Sequence, residues 1–440
     1  MPAPHPHPRG AAAAQRLRHL VPAGAHAYSK AADQWPPTAP PLLTHGHGAW
    51  VWDADGHRYT DWFAGLTCCP LGHAHPAITE AVTRALQRGT AFQLPTTAEL
   101  EAAETFLSLV AIGDDMVKFA KNGSDTVDAA LKLARYATGR HLVAKCAEHP
   151  FFSTNDWFIG TTAARGGTHP EPAARTLDFP YNNTPAIERL FTEHGQDLAA
   201  AILEPVRFTP PDPAFFTRLR ELCTHHGTVL IFDETVTGLK YHLNGARTLT
   251  GVHPDLTCWG KGIGGGLPVS ALTGRRALME LGDHTQPLPG QPPLLLLSTT
   301  HGSDGAGLAA MVATIHEITT ADAINRAHAT GAQLRRIADA VLAEEGVHRH
   351  IRLTGYDCFT NIETTGNHQL TGRQLKTLFL TEAIRNGALV RGIFYPTAAH
   401  TSDHLQQTEE AIRHAARTCA RALTGDTAAA TIPTSPVRPL

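Results

Sequence analysis

Lys261 and Asp233 carry the side chains whose types and positions point most directly to chemistry. Lys261 lies in the glycine-rich stretch 260–266, and Asp233 follows the apolar run Leu230-Ile231-Phe232. A primary amine forms a Schiff base with an aldehyde, and a carboxylate can hold a proton on a pyridine nitrogen so that the ring accepts carbanion electrons. Pyridoxal 5'-phosphate requires both groups. Each residue alone is weak support, because most such lysines are solvated loop residues and most such aspartates are turn or cap residues.

A third segment, Lys118 to Thr126, has the pattern of a strand that enters a helix through Gly123-Ser124. Backbone N–H groups at a helix start, together with the positive end of the helix dipole and a serine hydroxyl, form a cradle for an anion such as phosphate. Taken alone, the same residues favour an ordinary helix cap, with Ser124 as the capping residue and Asp125 behind it.

The composition describes an ordinary globular chain. Its 440 residues are 42% hydrophobic and 18% charged, which suits one large or two smaller cores. The formal net charge of -3 gives no field that would collect nucleic acid or anionic lipid, so neither partner is predicted. The N-terminus lacks the apolar core of a signal peptide, and no apolar run is long enough for a membrane span. We therefore expect a soluble protein.

Cysteine and histidine usage predicts neither disulfides nor a metal site. The seven cysteines form no CxxC pair, which fits a reducing cytoplasm, and adjacent Cys68 and Cys69 are interpreted as small packed side chains. The 27 histidines are numerous, but their spacing does not complete a ligand set. His73 and His75 are interpreted as a hydrogen-bonded structural pair.

Short apolar runs alternate with amphipathic stretches, which predicts an α/β fold with a mostly parallel central sheet and helices on both faces. An Asp55-Gly56 turn between alternating residues predicts a hairpin over 49–59. We expect a large domain over 76–315 and a smaller α+β domain made from residues 1–75 and 316–425. Residues 426–440, rich in Ala, Thr and Pro, are predicted to be a disordered tail. The predicted strands are 116–120, 142–145, 200–203, 228–232 and 269–273, and the two clearest predicted helices are 126–136 and 186–193.

In chain order, these segments resemble the class III aminotransferases of pyridoxal-phosphate fold type I, and most of all their glutamate-1-semialdehyde aminomutase-like branch. The resemblance covers roughly residues 20 to 420. The stretches that carry it are Tyr28-Ser29-Lys30, Leu71 to Pro76, Lys121 to Asp125, Asp156 to Gly160, Phe232 to Glu234 with Thr237-Gly238, and Pro254 to Gly266. Their ordered agreement is specific to the family, although it does not identify a substrate.

The resemblance implies a role for each matching residue. Lys261 would form the Schiff base and shuttle a proton, and Asp233 would pair with the pyridinium nitrogen. Gly123 and Ser124 would hold the phosphate, completed by Thr300 of the partner subunit. Because the partner completes the site, the resemblance implies an obligate homodimer with twofold symmetry.

Three further positions would surround the cofactor ring. Phe151 stands where the family stacks an aromatic side chain on the ring, and Thr235 stands on the opposite face. Glu204 would belong to the hydrogen-bond network beside Asp233. The implied partners are a small-molecule amine and a carbonyl compound.

Several positions depart from the aminomutase itself. Lys30-Ala31-Ala32 follows Ser29 where the aminomutase carries an arginine, Leu66 replaces an aromatic residue, and a glutamate is missing near Gly392. Thr235 replaces the customary valine, and Phe152-Ser153 replaces a histidine-glycine pair. Three activities therefore stay open: amino transfer from a small amino compound to a carbonyl acceptor, a 2,1-aminomutase reaction within one carbon skeleton, and altered chemistry such as decarboxylation, elimination or carbon–carbon bond formation. A binding protein that keeps an enzyme fold without enzymatic activity is disfavoured, because Lys261 and Asp233 are both present.

Overall fold

The computed structural model describes residues 6–425, so the predicted tail at 426–440 lies outside the described residues. The chain divides into two compact units. The chain-end unit runs up to His75 and resumes at Asp322, and the central unit runs from Pro76 to Ala321. The predicted domain boundary at residue 315 falls inside a helix that ends at Thr320.

The described residues form the following elements in chain order. The strands are β1 (Leu43–His47), β2 (Trp50–Asp53), β3 (Arg58–Asp61), β4 (Asp115–Ala120), β5 (Leu142–Cys146), β6 (Thr176–Phe179), β7 (Leu198–Leu203), β8 (Val229–Glu234), β9 (Leu256–Trp259), β10 (Ser270–Arg275), β11 (Ile351–Tyr356), β12 (Phe359–Thr364), β13 (Ala388–Leu389) and β14 (Ile393–Phe394). The α-helices are α1 (Pro8–Leu20), α2 (Ala64–Thr67), α3 (Pro76–Arg88), α4 (Thr97–Val110), α5 (Gly123–Thr138), α6 (Asp156–Ile159), α7 (Pro170–Ala174), α8 (Thr184–His194), α9 (Pro213–His226), α10 (Arg276–Met279), α11 (Gly305–Thr320), α12 (Ala323–Glu344), α13 (Gly372–Arg385) and α14 (Ser402–Leu423). Short 3-10 turns lie at Pro22–Gly24, Tyr28–Lys30, Ala32–Gln34, Ala246–Leu249, Lys261–Gly264 and Glu280–Gly282.

The central unit contains a seven-stranded sheet in the order β4-β10-β9-β8-β7-β5-β6. Strands β9, β8, β7, β5 and β6 pair in parallel, and β10 runs antiparallel to both of its neighbours, β4 and β9. All strands except β10 therefore point the same way, and the predicted mostly parallel sheet is confirmed. The five predicted strands and two predicted helices are present, each strand end within two residues of its prediction, whereas β6 and β9 were not predicted.

Both faces of this sheet are covered by helices, as its sequence pattern requires. Side chains alternate between the faces of a strand. Ile202 and Ile231 pack in one apolar cluster with residues of α5, whereas Leu203 and Phe232 pack in another with residues of α8 and α9. Strands buried on both faces read as continuous apolar runs, which is how β7 and β8 appear in the sequence.

The chain-end unit contains the predicted hairpin, with Trp50 opposite Thr60 in the antiparallel pair β2–β3. Its core is formed mainly by apolar residues of α12, α13 and α14 together with Trp62. His73 Nε2 lies 2.8 Å from Asp61 Oδ2, which confirms a structural role for that histidine. The prediction is wrong for its companion, because His75 Nδ1 is buried without a hydrogen-bond partner among the described residues.

No helix within residues 6–425 combines the length and the apolar composition that crossing a bilayer requires.

Candidate active site

The ends of the parallel strands bring the predicted residues to one edge of the central sheet. Asp233 is the fifth residue of β8, where it pairs in register with Cys258 of β9. Lys261 follows the end of β9 at Trp259, and Glu204 follows the end of β7 at Leu203. The carboxyl ends of parallel strands are where α/β sheets collect ligand groups.

Lys261 lies in a strained backbone conformation. Its φ of 47° is in the left-handed region, which a residue with a side chain occupies at a cost of about 1–3 kcal/mol. The lysine is half-buried and begins the turn 261–264 directly after Gly260. Strain of this kind persists where the surrounding structure fixes a side chain in place, and it is concentrated at functional sites.

Asp233 is a buried acid, and it forms no ion pair among the described residues. Oδ1 accepts a hydrogen bond from the backbone N–H of Thr235 at 2.9 Å. Burial, the largest effect, and the nearby Glu204 carboxylate raise the pKa of Asp233 to about 6. Hydrogen bonding from Thr235 and the positive charge of Lys261 lower this pKa, but by less. The dependence of this pKa on Lys261 and Glu204 places the three groups within electrostatic reach of one another.

Glu204 is held by a histidine that no motif in the sequence revealed. The backbone N–H of Glu204 donates to His149 Nδ1 at 2.8 Å. Burial lowers the pKa of His149 to about 3, so its ring is neutral and can accept this bond. Glu204 Oε2 is buried without a hydrogen-bond partner in residues 6–425, and burial raises the pKa of the Glu204 carboxyl.

The helix start predicted to bind an anion is present, with a different capping residue. Helix α5 begins at Gly123, and Asn122 caps it in a reciprocal capping box with Asp125. Ser124 therefore lies in the first turn, where backbone N–H groups have no intrahelical partner. Ser124 Oγ accepts a hydrogen bond from the backbone N–H of Thr154 at 3.2 Å, which ties the helix start to the segment after β5.

Thr235 fills the space between two glycines. A Cβ on Gly123 would lie 2.8 Å from Thr235 Cγ2, and one on Gly260 would lie 3.0 Å from the same methyl group. Only glycine fits at Gly123 without a shift of its neighbours. The hydroxyl oxygen Oγ1 of Thr235 is buried and makes no hydrogen bond of standard geometry in the described part of the chain, although it lies close enough to Asp233 to lower the pKa of that acid. Thr235 thus joins the phosphate-binding candidate to Asp233 and to the residue before Lys261.

Phe151 is 47% exposed, and its ring meets that of Phe158 edge to face at a centroid distance of 5.7 Å. The segment that carries it is anchored to α5 by Asp128. Ser153 Oγ donates to the two carboxylate oxygens of Asp128 at 2.8 and 2.9 Å, and Trp157 Nε1 donates at 2.7 Å. Ser153, one of the departures from the family pattern, is fully buried in this anchor. The exposed part of Phe151 is available for contact with a ligand.

Thr300 is the predicted site residue that the structure does not link to the others. It is exposed and forms no hydrogen bond or ion pair with them among the described residues. It lines a groove of about 590 Å³ between α3, α4 and α11, within the central unit.

These residues fit pyridoxal phosphate. Within residues 6–425 the buried acid Asp233 forms no ion pair, and a protonated ring nitrogen would supply one. The hydroxyl of Thr235 lies between glycines sized for close approach. The start of α5 offers N–H groups to a phosphate, and Lys261 offers an amine at the same sheet edge. The fold and the site define a pyridoxal-phosphate enzyme of fold type I.

Comparison with known proteins identifies the family. Residues 31–423 match the family model described as aminotransferase class-III. The chain therefore belongs to the class III aminotransferases, which include both transaminases and the glutamate-1-semialdehyde aminomutase.

Two relatives and two solved structures illustrate the likeness. The chain is 33% identical over 409 residues to a glutamate-1-semialdehyde 2,1-aminomutase of Thermomicrobium roseum, covering 87% of this chain and 92% of that protein. It is 41% identical over 256 residues to the protein of the same name in Chloroflexus aurantiacus, covering 55% of this chain and 57% of that protein, little more than half its length. An omega-transaminase from Sphaerobacter thermophilus superposes with a TM-score of 0.83 at 29% identity, covering 95% of this chain and 99% of that one. A glutamate-1-semialdehyde aminomutase from Pseudomonas aeruginosa gives 0.80 at 26% identity, covering 95% of each chain.

Proposed function

We propose that this protein is a pyridoxal-phosphate-dependent aminotransferase that moves an amino group from a small amino compound to a carbonyl acceptor. The observation that carries the proposal is the juxtaposition of a buried acid, Asp233, with the amine of Lys261 at one sheet edge. A structural ion pair does not explain why these two residues lie at the same sheet edge, because Asp233 and Lys261 make no ion-pair contact within residues 6–425. The strained backbone of Lys261 also argues against a purely structural role.

When bound, pyridoxal phosphate supplies an aldehyde and an electron-accepting ring. Asp233 would hold a proton on the ring nitrogen, a role for which a buried carboxylate without another cation is suited. Lys261 would hold the cofactor through its amine and would move a proton between the substrate alpha carbon and the aldehyde carbon of the cofactor. Gly123 and Ser124 would bind the phosphate through backbone N–H groups, and Phe151 would cover one face of the ring.

The first test is the Lys261→Ala substitution, with Lys118→Ala as the matched control on the exposed side of β4. We expect Lys261→Ala to lose the visible absorbance of covalently bound cofactor and to lower turnover more than about 100-fold, because it removes the anchor and the acid–base group together. Lys118→Ala should retain both. Retention of absorbance and turnover in Lys261→Ala would refute the assignment.

A 2,1-aminomutase is the second candidate, favoured by the names of relatives such as the Thermomicrobium roseum protein. Leu66, Lys30 and the residues near Gly392 depart from the aminomutase pattern and favour the aminotransferase. Incubation with one amine and no carbonyl acceptor distinguishes the candidates by mass spectrometry. Accumulation of pyridoxamine phosphate supports amino transfer, and an isomer of equal mass supports the aminomutase. A changed carbon count indicates decarboxylation or carbon–carbon bond formation, and loss of a leaving group from an intact carbon skeleton indicates elimination.

We also propose that the enzyme is a cytoplasmic homodimer in which Thr300 of the partner subunit completes the phosphate site. Thr300 is exposed beside an open groove, which leaves its side chain accessible to a second copy of the chain. No disulfide joins any of the cysteines within residues 6–425, and six of them, at 69, 146, 223, 258, 358 and 419, are buried thiols within the two units. Cysteines that remain as thiols are typical of proteins of a reducing compartment.

A further inference from the structure

A cluster of three metal-binding side chains lies in the chain-end unit and plays no part in the proposed reaction. His7, Asp53 and His57 each offer one ligand atom, and these atoms lie within 4.8 Å of one another. Asp53 Oδ2 is 3.0 Å from His57 Nδ1 and 3.0 Å from His7 Nδ1.

The tertiary structure, rather than sequence spacing, assembles this cluster. His57 lies in the turn after β2, four residues beyond Asp53, which is the last residue of that strand. His7 lies much earlier in the sequence, as the N-cap residue of α1. The start of α1 is fixed on the same turn, because the backbone N–H groups of Arg9 and Gly10 each donate to the Asp55 carboxylate at 2.9 Å.

Hydrogen bonding alone leaves the cluster incompletely satisfied. The carboxylate of Asp53 already accepts the backbone N–H groups of Asp55 and His57 on Oδ1, at 2.9 and 2.8 Å. Its Oδ2 accepts the Tyr59 hydroxyl at 3.1 Å and meets His57 Nδ1. His7 Nδ1 is buried and, although close to Oδ2, has no hydrogen bond of acceptable geometry among the described residues. A buried polar atom that is left unpaired destabilises the folded protein.

We propose that His7, Asp53 and His57 form a binding site for a divalent transition metal, with Zn²⁺ as the preferred ion. Two imidazole nitrogens and one carboxylate oxygen are a ligand set that zinc accepts, with a fourth position left for water. The ion would bind the lone pair of His7 Nδ1. The two imidazoles would then bind the metal instead of both facing the same oxygen, Asp53 Oδ2. Bound metal would join α1 to the β2–β3 hairpin, so its effect would be structural.

Zinc titration of the cofactor-loaded full-length protein, freed of metal with a chelator, tests the site by calorimetry and thermal unfolding. We expect one zinc ion per chain and a rise in the unfolding midpoint, since a ligand that binds only the folded state stabilises it. His7→Ala should weaken zinc binding by more than the roughly 10-fold that loss of a supporting hydrogen-bond partner costs at metal sites. The rise of the midpoint with zinc is measured for each variant against its own metal-free midpoint, because His7 also contacts Asp53 and the ring of His57 without metal.

His57→Ala provides a second variant, and His19→Ala provides the control. His19 is exposed on α1, and its substitution leaves the same number of histidines as the ligand variants. His19→Ala should bind zinc like the unchanged protein. The proposal is overturned if no stoichiometric zinc binding occurs, or if His7→Ala and His57→Ala bind zinc as His19→Ala does. These readouts do not depend on turnover, so they stand apart from the proposed function.

Discussion

Asp233 shows how burial prepares a single residue for its proposed role. A carboxylate removed from water is stabilised in its neutral form, and a nearby cation restores the charged form. Here burial prevails and the pKa rises from 3.8 to about 6 in the protein without cofactor. A protonated ring nitrogen would reverse that balance, so the energy lost on burying the acid would be recovered when the cofactor binds.

This balance predicts that Asp233→Asn stabilises the cofactor-free protein in a pH-dependent way. A group whose pKa is higher in the folded state contributes stability that is present below its unfolded pKa and lost as pH rises through its folded pKa. The stability of the unchanged protein relative to the variant should therefore fall between about pH 4 and pH 6 and then level off, with a total difference of about 3 kcal/mol. Urea unfolding at a series of pH values measures this difference.

The control for this experiment is Asp197→Asn, which changes an exposed aspartate of the same unit. Its stability relative to the unchanged protein should show no such pH-dependent difference over the same range. Asp233→Asn should also weaken cofactor binding and turnover. A variant that gained no stability above pH 6, or that kept full turnover, would contradict the role given to Asp233.

At the level of elements, the site depends on how closely the start of α5 approaches the ends of β8 and β9. Thr235 lies between the start of α5 and the turn that carries Lys261. Its methyl group would be 2.8 Å from a Cβ on Gly123 and 3.0 Å from one on Gly260. The glycines therefore allow a helix start, a strand end and a lysine-bearing turn to meet around one side chain. A change in this spacing would displace the candidate phosphate site relative to Asp233.

Gly123→Ala should accordingly destabilise the cofactor-free protein by about 1–3 kcal/mol, the usual cost of overpacking. It should also lower the affinity for pyridoxal phosphate. Adding Thr235→Ser removes the methyl group, the nearer of the two contacts, while the hydroxyl oxygen would stay 3.0 Å from the new Cβ, so the double variant should recover part of the lost stability. A double-mutant cycle, with unfolding free energies for both single variants and the pair, gives the coupling between the two positions.

Gly166→Ala is the matched control, because a Cβ at Gly166 meets nothing within 4 Å. We expect little change in the unfolding free energy or cofactor affinity of this variant. Additive effects of Gly123→Ala and Thr235→Ser would show that the predicted contact does not limit the packing.

At the scale of the molecule, the central unit exposes large apolar side chains in one short stretch of sequence. Leu86, Phe92, Leu94 and Leu100 are 61%, 59%, 73% and 60% exposed. Contiguous exposed apolar surface marks interaction sites. Phe92 also lines the groove that contains Thr300, which supports the proposal that this side of the central unit faces a second copy.

Leu94→Asp should therefore weaken the homodimer. An aspartate buried in an interface without a partner costs more than about 1 kcal/mol, so the dissociation constant should rise more than about 5-fold, measured by sedimentation velocity over a dilution series. Cofactor should also be lost more readily on dilution if Thr300 of the partner subunit holds the phosphate.

Leu20→Asp is the control, because Leu20 is 81% exposed in the other unit and lies outside this stretch. It should leave the association constant unchanged. A Leu94→Asp protein that remains as associated as the Leu20→Asp protein would place the subunit interface elsewhere.

The class of fold could be predicted from the order of residues alone, whereas the reactive roles of Asp233 and Lys261 remain a proposal that the same order suggests. The apolar runs of β7 and β8 predict buried strands because side chains alternate across a sheet whose faces are both covered. Asp233 could be proposed because it ends the apolar run of β8, and strand ends in a parallel sheet meet at one edge. Lys261 follows β9, a strand that the sequence pattern did not predict, so its proposed role depends on the glycine-rich stretch and on the family resemblance. These inferences depend on periodicity and order along the chain, which are local properties.

The side chains that support those residues became visible only in the folded chain. The bond from Glu204 to His149, the anchoring of Ser153 by Asp128, and the position of Thr235 between two glycines join segments that are distant in sequence. The cluster of His7 with Asp53 and His57 is a further case, since residue spacing along the chain argued against a metal site. Contacts of this kind depend on how packed elements bring their side chains together, and no local periodicity specifies them.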